Sequence, residues 1–257
     1  MKRLIPVLLI KNRELVKTIR FKKSRYIGDP INAVRIFNDK EVDELIVLDI
    51  GVSNNSSDPD FSFIERIASE AFIPITYGGG ISSVRQAEKL FRAGIEKVSI
   101  QTAAISNPNL IKDLAKEFGC QSIVFSIDIV KSFFRKYRVY SRNLWIRYTS
   151  EFIDLCKMMV DLGAGEVFLN CVHNDGMLNG PDLLAIEMVV NAIETPMIYC
   201  GGVRDLEDVR ACSQVGASGV AAGSFFVYHG SQRAVLITYP SFPDIQKVFG
   251  QQTIKND

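Results

Sequence analysis

Tyr77-Gly78-Gly79-Gly80-Ile81 and Tyr199-Cys200-Gly201-Gly202-Val203 are two versions of one pattern, separated by 122 residues. Each places glycines directly after a short apolar run, where a parallel strand would give way to a helix. The same offset carries Gly94 onto Gly216, and Asp43-Glu44-Leu45 onto Gly165-Glu166-Val167. One constant offset over much of the chain predicts two structurally equivalent halves, at about residues 1–120 and 121–245.

Short β-branched runs alternate with helical patterns along the whole chain. The predicted strands are Leu4–Ile10, Leu45–Ile50, Ile73–Tyr77, Lys97–Gln101, Ser122–Asp128, Glu166–Cys171, Met197–Tyr199 and Gly219–Ala222. The predicted helices are Ile31–Asp39, Phe61–Ala71, Ser83–Ala93, Pro108–Phe118, Thr149–Leu162, Asp182–Ala192, Leu206–Val215 and a last helix after Ser241. Strands that are apolar throughout are typical of a parallel sheet covered by helices. Eight such units predict a (β/α)8 TIM barrel over residues 1–257; a doubly wound open sheet is the alternative, and the repeat favours the closed barrel.

The composition suits a single domain with a large core, because the 257 residues are 47% hydrophobic. A net charge of +1 indicates neither a nucleic-acid nor a membrane partner. The five cysteines show no paired spacing of the kind that binds metals, and their odd number fits a reducing compartment. The apolar run Leu4–Ile10 is too short for a secretory core or a membrane span. We therefore expect a cytoplasmic protein without a metal or cofactor.

Chemistry in such barrels takes place at the carboxyl ends of the strands. This rule selects a set of candidate residues, which are Lys11, Asp49, Gly78–Gly80, Gln101, Thr102, Asp128, residues 170–176, Gly201, Gly202, Gly223 and Ser224.

The two glycine pairs predict two anion sites, because free N–H groups ahead of a helix attract phosphate and small residues allow its approach. The first site comprises Gly79, Gly80, Gln101 and Thr102. The second comprises Asp175, Gly176, Gly201, Gly202, Gly223 and Ser224. We expect it to be better equipped to bind an anion, because Asn174-Asp175-Gly176 is nearby. The alternative is that these glycines only form tight turns. Two anion sites in one barrel predict a substrate with two phosphate ends.

Several further stretches carry a family resemblance that covers nearly the whole chain. They are Arg3–Pro6, Gly28–Pro30, Asp43–Ile50, Tyr77–Ile81, Lys97–Ala104 and Asn174–Gly176. Together they resemble the cyclase (synthase) subunit of imidazole glycerol phosphate synthase. The resemblance implies a glutaminase partner at the amino-terminal face of the barrel, whose ammonia travels through the barrel to a bis-phosphorylated nucleotide-type substrate.

The resemblance also implies an ammonia gate, formed in that family by an arginine, two glutamates and a lysine at the amino-terminal end of the barrel. Those positions match Arg3, Glu44, Lys97 and Glu166. We expect Lys97 to pair with one glutamate and Arg3 with the other. The alternative is four solvated charges at strand ends.

The catalytic residues match only in part. The family uses two aspartates as general acid and base; the fifth-strand aspartate matches Asp128, but the first-strand aspartate matches Leu9. Lys11 and Lys17 match lysines of the family, yet neither restores a second carboxylate.

Two further positions depart from the family, and two have alternative roles. Asn170 stands where the family has a threonine, and Gln101 where it has an asparagine. His173 could be a base near the substrate, although a hydrogen-bonded loop histidine is favoured. Asp49 could face the substrate or cap the following turn.

A divergent branch of the family, found in bacterial surface-polysaccharide clusters, resembles this chain at Gly28–Ala33 and Ala234–Pro240. Its members act with a glutaminase and a separate sugar amidotransferase, and the ammonia forms an amidine on an acetamido sugar. The missing carboxylate favours this branch. The alternatives are the cyclase subunit of histidine biosynthesis and a conduit that does no chemistry.

Two basic segments, residues 11–25 and 131–148, also contain aromatic residues, among them Phe133, Phe134 and Trp145. Such segments could stack nucleobases. The balanced charge elsewhere favours a loop pair that closes over a phosphorylated substrate, or a hairpin that docks a partner. Solvated basic loops are a further alternative.

Overall fold

Eight parallel strands close into a barrel in this computed structural model, which describes residues 2–52, 58–132, 136–141, 152–230 and 232–250. The strands are β1 (Arg3–Lys11), β4 (Leu45–Asp49), β5 (Ile75–Gly78), β6 (Lys97–Ile100), β7 (Ile123–Lys131), β9 (Glu166–Cys171), β10 (Met197–Cys200) and β11 (Gly219–Ala222). Each pairs with the next, and β11 pairs with β1 from Arg3↔Gly219 to Pro6↔Ala222. The predicted (β/α)8 barrel is confirmed, and the open sheet is excluded.

Helices follow the strands and cover the outside of the barrel. They are α1 (Pro30–Asp39), α2 (Phe61–Ser69), α3 (Val84–Arg92), α4 (Thr102–Ser106), α5 (Asn109–Phe118), α6 (Phe152–Asp161), α7 (Leu183–Val190), α8 (Leu206–Val215), α9 (Ser224–Val227) and α10 (Phe242–Gly250), with one 3-10 turn at Cys120–Ser122. The predicted helices are present within a few residues of their predicted ends; residues 149–151 lie outside the described part. The short helices α4 and α9 were not predicted, and each begins next to a candidate site residue.

Five antiparallel strands were also not predicted. They are β2 (Glu14–Lys17), β3 (Arg25–Gly28), β8 (Tyr137–Val139), β12 (Tyr228–His229) and β13 (Ala234–Val235). The first two extend the sheet from the carboxyl end of β1, and β8 folds back onto β7. The basic segments 11–25 and 131–148 therefore form hairpins in part, as one of the expected alternatives had it; residues 133–135 and 142–151 lie outside the described part.

Two apolar layers explain why the strands are apolar throughout. Leu4 and Leu8 on β1 pack outward against the helices, whereas Ile5, Val7 and Leu9 face the interior of the barrel. Because both faces of a barrel strand are covered, neither face selects polar residues.

The repeat extends to the helix caps. The Asp60 carboxylate accepts a hydrogen bond from Phe63 N at the start of α2, and Asp182 accepts one from Ala185 N at the start of α7. Both the caps and their donors are 122 residues apart. Side-chain capping satisfies N–H groups that the first helical turn leaves unpaired.

Candidate active site

Four charged side chains form a ring at the amino-terminal end of the barrel, here called the charge ring: Arg3, Glu44, Lys97 and Glu166. The Arg3 guanidinium donates to both glutamates. Lys97 Nζ lies 3.2 Å from Glu44 Oε2 and 3.0 Å from Glu166 Oε2. The glutamate side chains are 4% and 6% exposed, so the ring is held together by its own charges rather than by water.

The pairing within the charge ring differs from the prediction. Each cation bridges both glutamates, whereas we expected each cation to pair with one. Burial by itself lowers the pKa of Arg3, but the charges and hydrogen bonds of Glu166 and Glu44 outweigh it and raise that pKa. Thr76 Oγ1 also donates to Glu44 Oε1 at 2.7 Å. The alternative of four solvated charges is therefore wrong.

A cavity of about 820 Å³ opens at the opposite, carboxyl end of the barrel. Most of the predicted site residues line it, namely Lys11, Lys17, Asp49, Gly79, Gly80, Gln101, Thr102, Asp128, Asn170, Asp175 and Gly223. Gly176, Gly201, Gly202 and Ser224 line a small adjoining enclosure of about 10 Å³ instead. The topology thus brings together residues that lie as much as 212 positions apart in the chain, from Lys11 to Gly223.

Asp128 lies on β7 at the wall of the cavity, partly exposed to it. Burial raises the pKa of its carboxyl to about 7, and the charge of Asp175 acts in the same direction. Hydrogen bonds from the Gln101 and Asn170 amides oppose this rise. Gln101 Nε2 donates to Asp128 Oδ2 at 2.9 Å. A carboxyl with a pKa near neutrality can both donate and accept a proton in one cycle.

The other carboxylates that line the cavity also have hydrogen-bond or ion-pair partners. Lys17 Nζ lies 3.1 Å from Asp175 Oδ1, and Gln86 Nε2 donates to Asp58 at 2.6 Å. Asp49 Oδ1 accepts hydrogen bonds from the backbone N–H groups of the turn that follows it, at 2.9 and 3.2 Å. Asp49 therefore both caps its turn and faces the cavity, and burial raises its pKa.

Leu9 gives the cavity an apolar wall at the end of β1. It is 7% exposed, pairs in register with Leu48 on β4 and Val16 on β2, and packs with Val7 in the inner core. A leucine at this position cannot transfer a proton. Asp128 thus faces the cavity without a second carboxylate from β1.

Lys17 is buried, with 6% of its side chain exposed, and its ion pair with Asp175 lies beside the second glycine turn. Thr18 Oγ1 also donates to Asp175, at 3.2 Å. A Cβ added to Gly223 would approach Lys17 Cε to 2.8 Å, so the glycine leaves room for the lysine stem. Sequence reasoning named Lys17 and Asp175 separately but missed this contact.

The two glycine turns have matching backbones. The φ angles of Gly79 and Gly80 are +129° and +69°, and those of Gly201 and Gly202 are +123° and +85°. A Cβ on Gly79 would lie 2.4 Å from the carbonyl oxygen of Asp49, and the turns themselves therefore require glycine. The tight turns alone are enough to explain why glycine occupies these positions. Whether the turns also bind anions depends on the side chains and the space around them.

These surroundings differ between the two turns. The first turn opens into the large cavity together with Thr102. The second turn encloses only about 10 Å³, and the Lys17 stem packs against Gly223 on the side of the large cavity. Ser224 Oγ is buried there, and among the described residues it has no hydrogen-bond partner. The first turn therefore has more free space in this conformation, and the expectation that the second is better equipped to bind an anion stays a prediction.

His173 does not line the cavity. Its Nε2 lies 3.1 Å from Asp182 Oδ2, and the same carboxylate receives Lys131 Nζ at 3.1 Å and Tyr137 OH at 2.8 Å. Burial alone raises the pKa of Asp182, but these three partners outweigh it and hold the pKa well below its usual range. The structure favours the hydrogen-bonded loop histidine over a base in the pocket. Sequence reasoning missed this cluster, although Asp182 had the signature of a helix cap.

The hairpins meet at the mouth of the cavity. Phe21, between β2 and β3, packs edge-on against Tyr140, which follows β8, with 5.7 Å between ring centroids. Arg20 Nε donates to the carbonyl oxygen of His173 at 3.0 Å. Aromatic residues of the basic segments thus contact each other here; Phe133, Phe134, Trp145 and Tyr148 lie outside the described residues.

No group of three or more His, Cys, Asp or Glu side chains in the described part of the chain is arranged to hold a metal ion. None of its helices is long and apolar enough to cross a membrane.

Comparison with known proteins places these features in a family. Residues 3–232 match the family described as Histidine biosynthesis protein. The chain is 45% identical to a Pseudomonas aeruginosa protein provisionally named imidazole glycerol phosphate synthase subunit hisF2, over 96% of this chain and 98% of that protein. It is 43% identical to a Leptospira interrogans protein provisionally named subunit HisF, with the same coverage. It is 35% identical to imidazole glycerol phosphate synthase subunit HisF of Exiguobacterium sibiricum, over 88% of this chain and 90% of that protein.

Proposed function

Because the chain belongs to the family of imidazole glycerol phosphate synthase cyclase subunits, we propose that it is an ammonia-using synthase subunit that acts with a glutaminase. The observation that carries the proposal is the placement of two features at opposite ends of one barrel. The charge ring lies at the amino-terminal end, and the cavity with Asp128 lies at the carboxyl end.

The charge ring supports an ammonia gate and a glutaminase bound over it. Ammonia is small and neutral, so a ring of paired side chains can admit it while excluding ions. The glutamates of the ring are buried and fully paired. Burying charged groups costs desolvation free energy, which charges at solvated strand ends do not incur. The interior behind the ring is largely apolar, with Ile5, Ile46 and Val124 among its residues.

Asp128 supports catalysis at the other end. With Leu9 on β1, the acid and base steps both fall to Asp128, whose pKa of about 7 suits either role. We propose that Asp128 accepts a proton as the nitrogen adds to the substrate and returns it to the departing group. Lys11 and Lys17 supply positive charge to an anionic substrate. No step calls for a metal or a cofactor.

The glycine turns support a substrate with two phosphate ends. Thr102 and Ser224 stand at equivalent positions, and each begins a short helix beside a turn. The Ser224 hydroxyl has no hydrogen-bond partner within the described part of the chain, so it is a donor available to a phosphate oxygen. The enclosure at the second turn now has room for one water molecule at most, so phosphate binding there requires the residues around the turn to move apart.

For the acceptor, we propose an acetamido sugar of a surface polysaccharide, amidinated with a separate sugar amidotransferase. Leu9 at the position of the second carboxylate supports a reaction different from cyclisation. The chain is also 43–45% identical to relatives with provisional names and 35–36% identical to relatives named without that qualification. The names of the latter favour histidine biosynthesis as the second candidate.

Complementation separates these two candidates. The chain would be expressed in a histidine auxotroph that lacks its cyclase subunit, with that subunit itself as the positive control. We expect no growth without histidine, because one carboxylate is missing. Robust growth would assign the chain to histidine biosynthesis and reject the sugar acceptor.

Reconstitution separates an enzyme from a conduit. The chain and a glutaminase subunit from the same organism would be co-purified, and nitrogen transfer would be followed in wild type and Asp128→Asn. We expect the pair to co-purify and the variant to lose nitrogen transfer while glutamine hydrolysis continues. Full transfer by Asp128→Asn would show that the barrel only conducts ammonia.

A further inference from the structure

Gln101 makes two hydrogen bonds that join parts of the cavity from different regions of the chain. It follows β6, and its side-chain Nε2 donates both to Asp128 Oδ2 at 2.9 Å and to the carbonyl oxygen of Tyr140 at 3.1 Å. Tyr140 N in turn donates to the carbonyl oxygen of Asp128 at 2.7 Å. The amide therefore uses both of its hydrogens, one on the carboxyl and one on the backbone beside it.

The contact continues from Tyr140 to the first hairpin. The Tyr140 ring packs edge-on against Phe21, and Phe21 follows Arg20, whose backbone N donates to the carbonyl oxygen of Asp175 at 3.0 Å. Arg20 and Phe21 have φ angles of +51° and +56°, which non-glycine residues adopt only when their surroundings hold them. The position of Phe21 is thus set by contacts and not by local preference.

We propose that Gln101 is a positioning residue, through which the contact between Phe21 and Tyr140 holds the carboxyl of Asp128 in place. The inference depends on the proposed function only in treating Asp128 as the acid and base. The proposal is a coupling among four residues, Phe21, Tyr140, Gln101 and Asp128, which can be measured without substrate or partner.

The groups around Asp128 determine how the pKa of its carboxyl changes when these contacts are lost. Gln101 and Asn170 donate hydrogen bonds to its carboxyl, and Asp175, paired with Lys17, acts through its charge. Cys200 on β10 lies near the same charges. Gln101 stabilises the ionised carboxylate, so loss of its amide raises the pKa of Asp128. Loss of the Phe21 contact should loosen the Tyr140 backbone and weaken the hydrogen bond from Gln101 to Asp128. The pKa of Asp128 should then rise by less than it does when the Gln101 amide itself is lost.

The test is titration of Asp128 in the full chain by 13C NMR of aspartate carboxyl groups, with Asp128→Asn used to assign the signal. Gln101→Met should raise the midpoint by about one pH unit, because one hydrogen bond to the charged form is lost. Phe21→Leu should raise it by a smaller amount in the wild-type background, and by nothing further in the Gln101→Met background.

Gln86→Met is the matched control, because Gln86 also lines the cavity but donates to Asp58. It should leave the midpoint of Asp128 unchanged. If Gln101→Met does not fold, Gln101→Asn keeps an amide that is one methylene too short for both contacts, and it should give an intermediate shift. An unchanged midpoint in the folded Gln101 variant, or an equal Phe21→Leu shift in both backgrounds, overturns the proposal. Absence of nitrogen transfer in the reconstituted system would refute the proposed function alone.

Discussion

Replacing Lys97 by methionine tests the charge ring in both stability and function. The substitution keeps the length of the side chain but leaves two buried glutamates to share Arg3 alone. Removing one partner of a fully buried ion pair costs about 3–5 kcal/mol. Lys97 is 21% exposed and Arg3 still bridges both glutamates, so we expect a loss nearer about 2 kcal/mol.

Thermal and urea unfolding measure this loss. For a domain of this size, about 2 kcal/mol corresponds to a fall of about 4–8 °C in the unfolding midpoint. Arg92→Met is the matched control, because Arg92 is 77% exposed and forms a helical ion pair with Glu88. Its loss should stay near about 0.5 kcal/mol. Equal losses in the two variants would refute the claim that the ring is held by buried pairing.

Nitrogen transfer measures the functional half of this prediction. With the glutaminase present, Lys97→Met should alter the amount of glutamine-derived ammonia that reaches the acceptor. Transfer from added ammonium salts should change little, because that ammonia enters at the cavity. A loss of the same size with both nitrogen sources would mean that Lys97 only supports the fold.

Three further predictions concern the cavity. Because burial raises the pKa of Asp128 from its ordinary value of 3.8 to about 7, its cost to folding is absent below about pH 4, grows between about pH 4 and 7, and is constant above that. Asp128→Asn should therefore unfold at the same temperature as wild type near pH 4 and at least about 5 °C higher at pH 8. Ser224→Ala should weaken inorganic phosphate binding about tenfold in a 31P NMR titration, with Thr102→Val as its counterpart at the first turn, and unchanged affinity would remove that hydroxyl from the anion site. Leu9→Asp should lower the free energy of unfolding by about 3 kcal/mol in urea, whereas Leu9→Met should lower it by less than about 1.5 kcal/mol; a small effect of the aspartate would show that this wall is more hydrated than its burial indicates.

The sequence was sufficient for the barrel strands because each is a short apolar run bounded by turn residues. Glu166–Cys171 and Gly219–Ala222 have the predicted ends. The hairpin strands were missed because Arg25–Gly28 has two exposed residues and no apolar alternation. The helix Thr102–Ser106 was missed because five residues are too few to show a helical period.

The sequence predicted which residues belong to the candidate site but not which of them contact each other. Strand ends and the family resemblance named Asp128, Lys17 and Asp175. The Lys17–Asp175 ion pair joins residues 158 positions apart, and only the closed barrel brings them together. The placement of His173 against Asp182 could not be deduced either, because a loop histidine has no periodicity that shows which way it faces.

The pairing of β11 with β1 also bears on how this chain folds during synthesis. β1 is made first, but the edge it presents from Arg3 to Pro6 has no parallel partner until Gly219–Ala222 emerges from the ribosome. An unpaired strand edge invites pairing with other chains, and contacts between distant residues form slowly. Glu166 likewise reaches Arg3 only after most of the chain has been made. Completion of the charge ring therefore coincides with late folding, so a glutaminase that recognises the ring would bind finished barrels and leave nascent chains alone.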